Sequence, residues 1–218
     1  MRVLDAQPPI SDELRNAVIA SLRWAWSQLR SDQKVEPMTS SEEQLTNAIE
    51  ALLNEKRDGH RRAKMLHLFG TVARSGQHRA SGTSFRQSPD LKFQPRREPR
   101  DVTDMSAWGL FAECKIVSTE RHHAVDAWYC RKGVAKFADG LYAPKMSAGL
   151  MVAYVRDGRT PHATLQPLLE GAFGNATLSA HEADANLLTS CHDRSTLSPP
   201  CVGIELTHLW LDARPTAT

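Results

Sequence analysis

Three residues of this sequence have the types and spacing to do chemistry together: Glu113 and Lys115 in the stretch GLFAECKIV, and Asp90 in SPDLKF. Residues 109–117 read as a buried strand, apolar at most positions and flanked by turn formers. Side chains at i and i+2 of a strand point the same way. Glu113 and Lys115 therefore share a face with Phe111 and Val117, while Ala112, Cys114 and Ile116 take the other. Asp90 follows Pro89 at the head of the preceding strand, so pairing of the two strands brings Asp90 and Glu113 to one end of the sheet. Two close carboxylates repel unless a proton or a cation lies between them. Mg²⁺ prefers oxygen ligands, often one or two carboxylates plus phosphate oxygens. A lysine beside such a pair orients water and stabilises charge developing on a phosphate. The chemistry is metal-assisted phosphodiester hydrolysis. The bland alternative is a cross-face ion pair on a solvated sheet; the apolar residues on both faces of 110–117 argue against it.

Other segments must position these residues. Residues 11–30 read as a helix capped by Ser11, with Leu14, Val18, Leu22, Trp26 and Leu29 as its apolar stripe. Residues 40–59 give a second helix, with Ser40 and Glu43 at capping-box spacing and Asp58-Gly59 as its stop. A third helix is expected over 60–76. A strand over 84–95, halted by Pro95, precedes the 109–117 strand. A helix follows over 122–140, then a strand over 147–158, a short helix within 160–174, an irregular polar stretch over 176–200, and a closing strand over 201–212. Helices followed by β-β-α-β-α-β suit a mixed sheet with helices on its faces.

The SPD of Ser88–Asp90 followed by the ECK of Glu113–Lys115, in this element order, resembles the PD-(D/E)XK nuclease superfamily over roughly residues 40–155. The resemblance implies an α/β fold: a restriction-endonuclease-like mixed sheet flanked by helices, over residues 40–218, with residues 1–39 as an N-terminal helical extension. It implies a Mg²⁺-dependent nuclease, with Mn²⁺ able to substitute, whose substrate is DNA and whose products carry 5′-phosphate and 3′-hydroxyl ends. Asp90, Glu113 and Lys115 would be catalytic, with Asp90 and Glu113 holding the metal. The superfamily often adds a glutamate from its first core helix. Taking Leu45 as zero and 100° per residue, Glu42 falls on the side of Leu45, Ile49, Leu52 and Leu53, whereas Glu43 and Glu50 fall away. Glu42 is thus the candidate third metal ligand. A phage-defence or restriction setting fits the resemblance, as do a second copy of the chain and a partner protein supplying ATPase, helicase or sensing function. The rival readings are a non-catalytic nucleic-acid-binding or assembly subunit, and a nuclease acting on RNA.

Composition sets the outer bounds. The chain has 218 residues with net charge +2, so charge distribution rather than total charge must reveal any nucleic-acid surface. Arg96, Arg97 and Arg100 cluster between the two motif strands, and Lys132 and Lys136 stand one helical turn apart; these are the candidate nucleic-acid contacts. His122 and His123 could cap the next helix, touch phosphate or do nothing. Cys191-His192 with Cys201 lacks the CxxC pairs of zinc modules. Trp24 and Trp26 read as packing or interface residues rather than base-stacking platforms. No GxxxxGK[ST] motif, apolar membrane span, signal-peptide apolar region or disulfide framework is present in the sequence, so a cytoplasmic protein with reduced thiols is expected.

Overall fold

A computed structural model describes residues 6–32, 35–59, 68–74, 88–97, 99–173, 177–181, 184–197 and 201–215, without the side chains of 56–59. The first helix, α1 (Asp12–Asp32), starts where Ser11 Oγ accepts the Leu14 N–H at 3.2 Å. Asp12 and Glu13 at its N-terminus and Arg30 in its last turn suit the helix dipole. In α2 (Glu42–Gly59) the capping box sits one residue later than the sequence suggests. Gln44 N–H donates to Ser41 Oγ at 3.2 Å, and Ser41 N–H to Gln44 Oε1 at 2.8 Å. Glu43 is thereby left exposed rather than capping, and Glu42 opens the helix.

The strands are β1 (Phe69–Arg74), β2 (Leu91–Pro95), β3 (Leu110–Val117), β4 (Ala148–Val155), β5 (Thr177–Ala180), β6 (Leu187–His192) and β7 (Ile204–Asp212). They form one seven-stranded mixed sheet in the order β1-β2-β3-β4-β7-β6-β5. The central pairs β3/β4 and β4/β7 are parallel, and the pairs on either side are antiparallel. Strands β3 and β4 are buried along their whole length, as strands covered on both faces must be.

Two expectations are corrected here. The third helix fails over 69–74, which is strand β1, while residues 60–67 lie outside the described residues. Phe69 and Val72 sink into the core, and the Asn54 side chain from α2 serves both backbone groups of Val72, at 2.8 and 3.0 Å. An available sheet edge overrode helical propensity. The stretch over 176–200 is not irregular throughout, because it contains β5 and β6. The helix expected over 122–140 begins as a 3₁₀ turn (Arg121–His123), continues as a π-helix (Val125–Val134) and ends in α3 (Ala135–Ala138). A Cβ on Gly133 would meet Met151 Cε at 2.4 Å and Lys115 Cγ at 3.7 Å, so this segment lies close against the sheet.

Cross-strand partners share a face. The register Glu113↔Met151↔His208 puts these three on one face, and Ile116↔Tyr154↔Leu211 on the other. Helices α1 and α2 cover the Tyr154 face. Trp26 stacks on Tyr154 at 5.3 Å and 11°, and Thr46 Oγ1 lies 3.1 Å from the Tyr154 hydroxyl. Helix α1, expected as an extension, is thus built into the core, where Leu22 is wholly buried. The Glu113 face is covered by the π-helix and by α4 (Pro161–Ala172), which begins with Pro at its first turn. Among the described residues no helix is long and apolar enough to cross a membrane.

Candidate active site

Strand β2 pairs with β3 only from Leu91 to Phe93, opposite Ala112 to Leu110. Beyond Ala112 the two strands part, and the β3 backbone on that side loses its neighbour. A buried N–H without an acceptor is costly. Two acids take the place of the strand: Asp90 Oδ2 accepts the Cys114 N–H at 2.8 Å, and Glu42 Oε2 accepts the Ile116 N–H at 3.0 Å. Asp90 and Glu42 thus reach the site from different elements because the sheet opens there.

Lys115 occupies the centre. Its Nζ donates to Glu113 Oε1 at 2.9 Å, to Glu42 Oε1 at 2.8 Å and to the Cys114 carbonyl at 2.9 Å. Trp128 of the π-helix donates its indole N–H to Glu42 Oε2 at 3.1 Å, and Lys115 Nζ stands 5.5 Å from the Trp128 ring centroid. On the other side Lys136 Nζ lies 3.9 Å from Glu113 Oε1 and donates to the Tyr142 hydroxyl at 2.7 Å. The loop carrying Tyr142 is fixed by the buried Arg194, whose guanidinium donates to the carbonyls of Phe137, Tyr142, Ala143 and Met146 at 2.7–3.4 Å.

The charges do not balance, for the carboxylates of Glu42, Asp90 and Glu113 outnumber the ammonium groups of Lys115 and Lys136. Burial, then repulsion from Asp90, pushes the Glu113 carboxyl up to about 7 against the pull of both lysines. Burial also raises Asp90, opposed by Lys115 and the Cys114 N–H. Burial alone would lower Lys115, but Glu113, Glu42 and Asp90 outweigh it and the ammonium is held above its ordinary pKa. Buried carboxylates raised by desolvation and mutual repulsion, with hard oxygen donors only, fit a divalent cation. Glu42 was expected as a third ligand. Instead both of its oxygens are engaged by the chain itself, through Lys115, Ile116 and Trp128. Among the described residues, Glu42, Asp90 and Glu113 are not a set whose ligand atoms all lie within 4.8 Å of one another.

The basic residues separate. Lys136 belongs to the site, and Lys132 is exposed on the covering helix. Arg96, Arg97 and Arg100 lie past the far end of β2; Arg96 Nε donates to the Phe69 carbonyl at 3.1 Å. Six residue steps of extended chain separate Arg96 from Asp90, roughly 20 Å at the rise of a strand. Arg96, and Arg97 next to it, therefore lie away from the carboxylate cluster.

A second polar cluster, unread in the sequence, lies on the same face under the same helix. Trp210 Nε1–H can only donate, and its acceptor is the Tyr129 hydroxyl at 3.4 Å. Tyr129 then donates to His208 Nδ1 at 2.9 Å, which places the His208 proton on Nε2, facing Ser190 Oγ at 2.8 Å. Ser190 donates onward to His192 Nε2 at 2.8 Å. Ser190 and His208 are wholly buried. Burial, then the neighbouring His192, pushes His208 down to about 3; burial, then Arg194, pushes His192 down to about 4. This hydrogen-bonded row is therefore uncharged at pH 7.

No family model, curated protein or solved structure matches this chain.

Proposed function

We propose that this chain is a Mg²⁺-dependent nuclease acting on DNA, with its α/β sheet arranged in the restriction-endonuclease-like way. The observation that carries the reading is the buried Glu113 with the half-buried Asp90, both carboxyls raised above their ordinary pKa beside a lysine held by carboxylates where two strands part. Asp90 and Glu113 would hold the ion. Bound there, Mg²⁺ supplies charge that polarises a phosphoryl oxygen and lowers the pKa of water. Lys115 remains an ammonium at neutral pH and does not accept a proton; the donor that Glu113 would release on turning to the ion would reach the attacking water or a phosphate oxygen. Glu42 aims Lys115, and Trp128 holds Glu42. The Glu113 face keeps the substrate phosphate beside Lys136 and Tyr142.

One observation favours a second reading, a non-catalytic nucleic-acid-binding or assembly subunit: the Lys115 ammonium already has an acceptor for each of its donors. One assay separates these readings. Purified protein is incubated with plasmid DNA or RNA and Mg²⁺, with and without EDTA, alongside the Glu113→Gln variant. Mg²⁺-dependent nicking of DNA lost in the variant supports the nuclease. Cleavage of RNA alone changes the substrate. Binding without cleavage, unaffected by the variant, supports the subunit.

A further inference from the structure

The loop that leaves β3 carries a second set of ligating side chains. Among the described residues, Glu120, His122 and His123 are the one set of three whose ligand atoms all lie within 4.8 Å of one another. Glu120 Oε2 stands 3.1 Å from His122 Nε2 and 3.4 Å from His123 Nδ1. Two atoms each about 2.05 Å from one ion, at a tetrahedral angle, stand about 3.3 Å apart. The observed separations match that spacing before any ion is supplied.

The backbone explains the convergence. Glu120 immediately precedes the 3₁₀ turn, and the His123 N–H closes it on the Glu120 carbonyl at 2.9 Å. Side chains three apart eclipse in a 3₁₀ turn, which stacks His123 over Glu120. Ser118 closes the loop from both sides: its N–H donates to the His123 carbonyl at 3.3 Å, and its Oγ accepts the Glu120 N–H at 3.2 Å. The two imidazoles lie 4.1 Å apart at 53°. Arg156, the cation that also approaches His123, is engaged by the carbonyls of Pro37 and Ser40.

We propose that Glu120, His122 and His123 form a site for a borderline divalent transition metal such as Zn²⁺, Co²⁺ or Ni²⁺, with a fourth position open to solvent. Two imidazole nitrogens and one carboxylate oxygen suit those ions, whereas Mg²⁺ takes oxygen. The outer ligands are accessible, Glu120 and His122 being 60% and 72% exposed in their side chains. The ion would tie the exit of β3 to the start of the π-helix at Val125, three residues ahead of Trp128. The site is independent of the nuclease reading, since neither Asp90 nor Glu113 contributes to it.

The test is a Co²⁺ titration of the untagged full chain, followed by visible absorption and reversed by Zn²⁺. One saturable Co²⁺ with the visible absorption of a four-coordinate nitrogen-containing site is expected per chain, whether or not Asp90 and Glu113 take a second ion. His122→Ala and His123→Ala should each weaken it at least tenfold, while the Asp90→Asn/Glu113→Gln double variant keeps the wild-type affinity. The exposed His122 ring lets its variant carry the test should His123→Ala fold poorly. Absent or unsaturable Co²⁺ binding overturns the site, as does binding unchanged in His122→Ala or lost only in the Asp90/Glu113 double variant. No cleavage is read, so failure here is distinct from failure of the nuclease assay.

Discussion

Two buried polar clusters share one face of the sheet, and adjacent residues of one helix touch them: Trp128 reaches Glu42, and Tyr129 reaches His208. One cluster is ionic, the other neutral. In the neutral chain from Trp210 to His208 and Ser190 each donor meets an acceptor, and no charge needs compensation. Such a network rigidifies a core and specifies its packing. In the ionic cluster carboxylates outnumber ammonium groups, and Glu113 is driven up to about 7. A structural network closes on itself; a site built for a ligand leaves charge for that ligand to complete.

The deepest break in this contrast is expected from Lys115→Ala. Removing one partner of a buried ion pair costs about 3–5 kcal/mol, and loss of a preorganised charge costs on the order of 10²–10³ in rate. Unfolding in denaturant at pH 8 should register the first, and Mg²⁺-dependent cleavage the second. A variant that cleaves at the wild-type rate would make Lys115 a structural residue. At pH 5 the stability loss should shrink, because Glu113 then takes up a proton.

The pH dependence of stability sharpens the comparison, for the two clusters slope in opposite directions. Native Glu113 binds a proton that the unfolded chain has released, so its contribution to stability falls as pH rises from 4.5 towards 7. The range corresponds to about 3 kcal/mol, and Glu113→Gln should flatten it in metal-free protein. Mg²⁺ should raise the Tm of wild type at pH 8 and leave the variant's unchanged. His208 and His192 are neutral in the fold, so their contribution is complete above 6.5 and is lost as pH falls towards about 3 for His208 and about 4 for His192. His208→Gln should remove part of that acid limb while leaving the Glu113 slope intact. Equal slopes in wild type and both variants would mean that neither cluster titrates as described.

A smaller effect is expected from Tyr129→Phe. It leaves His208 Nδ1 and the Trp210 N–H without their partner, at a cost of about 1–3 kcal/mol. The loss should be the same with and without Mg²⁺ above pH 7; a Mg²⁺-dependent loss would join the clusters into one site.

The smallest change concerns the remote arginines. Arg97→Glu with Arg100→Glu should weaken DNA binding and flatten the logarithmic salt slope by about one for each phosphate that is no longer neutralised. An unchanged slope would return them to an ordinary solvated loop.

Period-two alternation in residues 109–117 is enough to place Glu113 and Lys115 together, and helical phase against Leu45 is enough to turn Glu42 towards them. Both are local regularities, which a sequence displays directly. Tertiary choices are not visible there. Nothing local says that residues 69–74 will leave a helical pattern to pair with β2. The polar letters of Leu187–His192 resemble a loop because a sequence cannot show that Ser190, His192 and His208 satisfy one another. Helical phase makes Glu42 look like a ligand because the gap between β2 and β3, which gives it a backbone N–H to cap, exists only in the folded sheet.

The π-helix has a consequence for length rather than composition. Its i→i+5 bonding keeps Trp128 on Glu42 at one end while its continuation through α3 keeps Lys136 on Tyr142 at the other. Deleting a single residue between them would let the segment re-register as an ordinary α-helix, whose larger rotation per residue offsets the lost step and leaves the two ends close to their present relative orientation. Trp128 and Lys136 would then both stay near their partners, and only the residues between them would change face. A one-residue deletion at exposed positions such as Arg131 and Lys132 should therefore be tolerated more readily than one inside a regular α-helix of this chain.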